Sequence, residues 1–238
     1  MNGSLALDCT PTFPPPDDLF DRRDDSDNIL LPNSTLEDLK IQDIDFSDIC
    51  EALVSTAKMA RFISSTGTTQ GFWRDDMIYF QNYLPVVHQV LSLERRCTII
   101  NNLTIPAETM RETLRLTILL LLGLVKRRFR IEPDCVPSYQ ERLLAILIHS
   151  PVDWTPVLTI YLWVLSISAA ASIDPERMWI IAEISRITGN ASWSDVSATV
   201  KSFIWIEEIA AFELDILGEE VRNHKEQNEE TLLVDIYG

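Results

Sequence analysis

Residues 154–212 read WTPVLTIYLWVLSISAAASIDPERMWIIAEISRITGNASWSDVSATVKSFIWIEEIAAF, and their punctuation decides the fold. Thr155-Pro156 opens a helix, because a proline at the first helical position sacrifices no hydrogen bond and already holds a helical φ. The uncharged run Val157 to Ile173 follows. Asp174-Pro175-Glu176 repeats the start signal with an acid in the first turn, where the macrodipole favours it, so a second helix is expected from near residue 175. Met178, Ile180, Ile181, Ile184 and Ile187 then recur at helical spacing, while Glu176, Glu183 and Arg186 fall on the other side. Gly189-Asn190 suits the left-handed turn that ends a helix, and Ser192-Trp193-Ser194-Asp195 has the capping-box pattern that opens a third. Val196, Val200, Phe203, Ile204, Trp205, Ile209 and Phe212 are expected on its apolar face. The unit is three tightly joined helices carrying Trp163, Trp179, Trp193 and Trp205.

The rest of the chain extends this pattern to an all-α fold, a multi-helix bundle or array. Only seven glycines occur in 238 residues. That is about half the usual share of ~7% and argues against Gly-punctuated β-sandwiches and barrels and against phosphate-cradling loops. A chain of this length can bury a sizeable core as one main body.

The formal charge of −16 is concentrated at the ends. Residues 1–48 hold 12 acids against 3 bases, residues 207–238 hold 10 against 2, and residues 49–206 hold 14 against 15. Three parts are expected: an acidic, Pro/Asp-rich, disordered segment over 1–48, a helical domain over 49–222, and an acidic tail over 223–238. In the first of these Leu19, Phe20, Ile29, Leu30 and Leu31 stand among aspartates, a composition that suits either a solvated linker or an activation segment. Ser34-Thr35-Leu36-Glu37 offers a helix cap, and Ile49, Leu53 and Val54 begin the first domain helix. The acidity opposes direct binding to nucleic acid, whose phosphates demand a basic footprint.

Two apolar runs raise the question of a membrane. Leu116 to Val125 is too short to cross a hydrocarbon layer of about 30 Å. Val157 to Ile173 is at the lower limit, but it contains Thr159, Ser166, Ser168 and Ser172 and has Asp153 at its N-terminal side instead of a base. A buried central helix is expected, and no membrane association. The first twenty residues lack the basic start and long apolar stretch of a secretory signal. The sequons at Asn33, Asn102 and Asn190 are therefore expected to carry no glycan, and Asn190 and Ser192 have local tasks as cap residues.

Lys126, Arg127, Arg128 and Arg130 form the one dense basic cluster, around Phe129. It follows an apolar helix expected over 107–125, so its cations can meet that helix's free carbonyls, or the run can serve as a nuclear-localisation signal. Within the helix, Glu108 with Arg111 and Glu112 with Arg115 permit i,i+3 ion pairs on what reads as a solvated face.

Little points to catalysis. His88, His149 and His224 are isolated, His149 reading as a helix-end residue, and no HExxH, GxSxG, P-loop or dinucleotide pattern occurs. The adjacent acids Asp75-Asp76 and Glu207-Glu208 point about 100° apart on a helix and do not face each other. Cys9, Cys50, Cys97 and Cys135 are too widely spaced for a zinc knuckle and are expected as reduced thiols in or near the core. No catalytic residue, cofactor site or metal site is expected.

The stretch YLWVLSISAAASIDPERMWIIAEISRITGNASWSDVSATVKSFIWIEEI resembles the C-terminal part of the fungal-specific transcription factor domain, the helical regulatory region found downstream of a Zn2Cys6 cluster. The resemblance rests on Leu162-Trp163-Val164-Leu165, Glu176-Arg177-Met178-Trp179, Ser192-Trp193 with Val196, and Phe203-Ile204-Trp205-Ile206. MRETLRLTILLLLGLVKRRFRIEPD upstream is similar to another helix of that domain, so residues 105–212 are covered. The six close cysteines of the DNA-reading module are missing. The resemblance implies an all-helical regulatory domain in the nucleus, acting on RNA polymerase II transcription through protein partners, either coactivators or transcription machinery, with a homodimer possible. Trp163, Trp179, Trp193, Phe203 and Trp205 are its candidate core or pocket. The alternatives are a helical scaffold or dimerisation protein, or a helical domain that binds an apolar ligand.

Overall fold

A computed structural model describes residues 46–95, 99–100, 103–150 and 152–237. Among these the fold is all-α: α1 (Ser47–Thr66), α2 (Asp76–Ile78), α3 (Leu84–Ser92), α4 (Pro106–Arg128), α5 (Val136–His149), α6 (Leu158–Ala171), α7 (Glu176–Thr188), α8 (Trp193–Lys201) and α9 (Glu207–Tyr237). A π turn over Tyr79–Tyr83 joins α2 to α3 without a break. Pro85 explains it, since proline cannot donate to the carbonyl four residues back and its ring crowds that group, which a wider turn accommodates. The β content among the described residues is one antiparallel pair, Ile99–Ile100 with Leu103–Thr104.

Two helices form the centre. α4 packs on α1, α3, α5, α6 and α9, while α6 packs on α4, α5, α7, α8 and α9. Residues 113–126 of α4 and 160–169 of α6 are buried without interruption. Such helices must satisfy their polar side chains internally. Thr109, Thr113 and Thr117 do so as a ladder, each hydroxyl donating to the carbonyl four residues back at 2.8–2.9 Å. In α6, Ser166 and Ser168 donate in the same way to Leu162 and Val164 at 2.8 Å. The polar residues that argued against a membrane span are thus compatible with a dry protein interior, and no described helix is long and apolar enough to cross a membrane.

Helix starts follow the sequence closely. Pro106, Pro137 and Pro156 each sit in a first turn, and Ser192 and Asp195 form the expected box, with Asp195 N donating to Ser192 Oγ at 3.2 Å. Gly189 ends α7 with φ +48°. Cys50 and Cys135 are free and buried, and Cys9 and Cys97 lie outside the described residues. So do the cap expected at Ser34 to Glu37 and residues 1–45 of the disordered segment expected over 1–48.

Several expectations are corrected. Lys126, Arg127 and Arg128 of the basic cluster form the last turn of α4, and only Arg130 follows it. Glu108, Arg111, Glu112 and Arg115 are not a solvated face: Arg111 and Arg115 are 1% and 0% exposed. Arg115 grips Glu112 through two bonds of 2.7 and 2.8 Å, and Arg111 pairs with Asp48 at the start of α1 while donating to the Glu94 carbonyl at 2.7 Å. The helical body therefore includes Phe46 and Asp48, upstream of the boundary expected at residue 49. The run Val157 to Ile173 ends as helix at Ala171, and Ile173 is exposed. Met178 faces outward too, because Ile180, Ile181 and Ile184 fill the buried stripe of α7. The third helix of the opening unit is two. α8 stops at Lys201 where Ser202 N turns back to Ala198 and Thr199, Phe203 to Ile206 form a buried link, and Ile209 belongs to α9. Residues 223–237 continue α9 as helix instead of forming a separate tail.

Candidate functional site

The five aromatic residues singled out in the sequence divide by depth. Trp163 is fully buried at the middle of α6, with the Phe203 ring edge-on at 5.1 Å and its indole N–H donating to the Ile204 carbonyl at 2.6 Å. Phe203 and Trp205 are buried beside it, and Trp205 Nε1 donates to Glu207 at 3.2 Å. Trp179 and Trp193 are half-buried against the same core. Trp193 lies across α9 at Gly218, where an added Cβ would fall 2.5 and 2.7 Å from its Cδ1 and Cε2. The set is core and core margin.

Arg177 ties this unit together. Its Nε donates to both oxygens of Glu220 at 3.0 and 2.9 Å, and its Nη1 to the Ala169 carbonyl at 2.6 Å. One guanidinium so joins α7 to α9 and adds a charge-assisted bond to a carbonyl at the end of α6 that also accepts from Ser172 N at 3.1 Å.

A cleft of about 430 Å³ opens elsewhere, between the segment leading into α6 and the outer face of α7. Trp154, Leu158 and Ile187 give it apolar walls, and Trp154 stacks on Tyr161 at 4.9 Å with the rings 5° from parallel. The Tyr161 hydroxyl donates to Glu183 at 3.0 Å, and Arg186 donates twice to the same carboxylate at 2.8 and 2.7 Å. The Arg186 hydrogen bonds hold the Glu183 carboxyl below its ordinary range against the opposing cost of burial, with the phenol assisting. Burial, and then the Glu183 charge, push the Tyr161 hydroxyl well above its ordinary value. A phenol so disposed stays protonated and donates; it is not a base. Glu183 and Arg186 lie on the polar side of α7 expected from its periodicity, whereas the aromatic wall comes from another element and leaves no local pattern.

The basic cluster is dispersed by folding. Lys126 is 1% exposed and donates to the Pro133 carbonyl at 2.6 Å, meeting an orphan acceptor beyond the helix end. Arg127 pairs with Asp134 at 2.7 Å. Arg128 lies over the Trp73 ring at 5.6 Å, and Arg130 takes φ +60° in the turn that follows. Phe129 is buried between Trp73, Tyr79 and Phe72 at 5.0, 5.4 and 6.0 Å. The folded surface thus offers Arg127, Arg128 and Arg130 without Lys126. Trp73 was not anticipated, since its contact with Arg128 crosses more than fifty residues.

Among the described residues no group of three or more His, Cys, Asp or Glu side chains gathers as metal ligands do. His88 faces Ser92, and His149 closes α5. The chain matches no protein-family model, no curated protein and no solved structure.

Proposed function

We propose that this chain is a regulatory domain of the fungal transcription-factor type, acting in the nucleus on RNA polymerase II transcription through protein contacts. The observation that carries the proposal is how the four resembling segments meet. Trp163 from the first bonds the carbonyl of Ile204 in the last, Arg177 from the second clamps α9 and the end of α6, and α8, opened by the Ser192 cap, packs on α6 and lays Trp193 against Gly218 of α9. Their order in the sequence is matched by mutual packing, as expected of one inherited unit. The charge pattern adds support. Nearly neutral residues 49–206, flanked by acidic N-terminal residues and an acidic α9, suit protein docking and repel DNA phosphates.

A tethering experiment tests the proposal. The full chain, fused to an unrelated DNA-binding domain, is expected to change expression of a reporter carrying that domain's site. Replacing Asp17, Asp18, Asp21, Asp24, Asp25 and Asp27 by asparagine is expected to reduce the effect. A well-expressed, folded fusion that leaves the reporter at the level of the DNA-binding domain alone rejects it in favour of a helical scaffold.

A further inference from the structure

We infer that the cleft between Trp154 and α7 is a binding site for a small organic cation with an apolar body, an amidine, guanidine or amine that takes the place of Arg186 at the Glu183 carboxylate. Its volume of about 430 Å³ admits a small molecule, for which sites of about 300–1,000 Å³ are usual. Trp154 and Tyr161, stacked on each other and almost wholly buried, form a fixed wall. Leu158, 39% exposed, and the half-buried Ile187 complete an apolar lining that is open to solvent.

The Glu183 carboxylate is held unequally from its two sides. Tyr161 donates to Oε1 from a ring locked into the core, and this bond belongs to the scaffold. Arg186 donates to Oε1 and Oε2 from a side chain that is 69% exposed, against 16% for Glu183, and makes no other hydrogen bond among the described residues. A pair of this kind, three residues apart on one helix with one member in water, is weak, because holding a long side chain in place costs entropy. A sheltered carboxylate thus has an exchangeable counterion. An amidinium or guanidinium from outside can reproduce the same two-pronged bond.

The charges lining the cleft select the sign of the ligand. They are Asp153 and Glu183 against Arg186, an excess of one acid. Asp153 accepts the Thr155 amide at 2.9 Å, keeps its charge in doing so, and makes no ion pair among the described residues. Lys225 reaches Thr188 at 3.0 Å from α9 and does not line the cleft. An anion would meet Asp153 unpaired and an arginine already engaged. A neutral apolar molecule would strip water from Glu183 and Asp153 without replacing it. A cation with an apolar body satisfies both carboxylates and covers Leu158 and Ile187, while Arg186 swings into solvent.

The test follows the Trp154 indole N–H signal, identified by its absence in Trp154→Phe, in proton–nitrogen NMR spectra of the full chain. The probes are benzamidine, benzamide and benzoate, which share nearly one shape and differ in charge. Benzamidine is expected to shift the signal saturably, and the other two to leave it in place. Glu183→Gln keeps the shape and removes the charge, so it should weaken benzamidine about tenfold or more; Asp153→Asn should weaken it less. Arg186→Ala should tighten binding about twofold or more, because the internal competitor is gone. That gain separates the inference from a site where Arg186 holds an anion, and an exposed side chain can be removed without loss of the fold. No shift by about 10 mM benzamidine, a generous limit for so small a probe, equal binding of benzamide or benzoate, indifference to Glu183→Gln, or weaker binding by Arg186→Ala each overturn it. The readout is independent of transcription, so a silent reporter and an unbound probe fail separately.

Discussion

The indole N–H of Trp163 donates to the carbonyl oxygen of Ile204 over 2.6 Å, which fixes the most deeply buried ring of α6 to the link between α8 and α9. The acceptor lies in a segment with no regular ladder to satisfy it, so the ring supplies both volume and a hydrogen bond that the backbone there lacks.

Trp163→Phe keeps much of the volume and orphans that carbonyl, with an expected cost of about 1–3 kcal/mol. Trp163→Ala adds a cavity and should cost about 3–5 kcal/mol. Urea unfolding followed by far-UV circular dichroism measures both. Equal losses for the two variants would show that the bond carries the effect and the ring volume does not.

At Gly218 helix propensity and packing oppose each other. Alanine is the better helix former by about 1 kcal/mol, yet its Cβ would press on the Trp193 ring. Gly218→Ala is expected to destabilise by about 1–3 kcal/mol as the indole is displaced. In a Trp193→Ala background the same change should stabilise. A double-mutant cycle in thermal unfolding reads the reversal of sign, and additive effects would contradict the contact.

Asp48 compensates a guanidinium that is 1% exposed. Asp48→Ala leaves Arg111 with the Glu94 carbonyl but no countercharge. The cost should be about 3 kcal/mol, the lower end for a broken buried pair, because Asp48 itself keeps some contact with water. Asp48→Ala/Arg111→Met should recover part of it, as measured by the urea midpoint.

The depressed Glu183 carboxyl makes stability depend on pH on the acid side. A carboxyl lower in the folded than in the unfolded chain contributes fully above the ordinary value of 4.5, and its contribution is lost as the pH falls through the folded value. Glu183→Gln is therefore expected to lower stability at neutral pH and to flatten the acid limb of a stability-against-pH profile. The effect will be small, since its partner Arg186 is 69% exposed. A profile unchanged by the substitution would contradict the assignment.

What could be read in the sequence was what is local. The Ser192 box, Pro156 in the turn that leads into α6, and Gly189 act within four residues, and each falls where expected. The uncharged run in α6 was recognisably interior because its serines can serve their own helix. The misreadings came from partners far along the chain. Arg111 sits at a helical spacing that suits a wet face, and only Asp48, 63 residues away, makes its burial tolerable. The break after Lys201 carries no glycine or proline, and the apolar positions on either side continue at helical spacing, so periodicity joined what the fold separates. The cleft was hidden for a similar reason: its aromatic wall and its carboxylate come from separate elements.

Asp48 stands at the end of an acidic stretch and in the first turn of a helix, and the two memberships make different demands on anyone shortening the chain. A truncation placed where the charge pattern changes, at residue 49, would remove the countercharge of a buried arginine together with Phe46. A partner lost by that fragment would report a weakened fold, whatever the acidic residues do. Neutralising the aspartates before Phe46 one group at a time separates the two, because it changes charge and leaves the first helix its anchor.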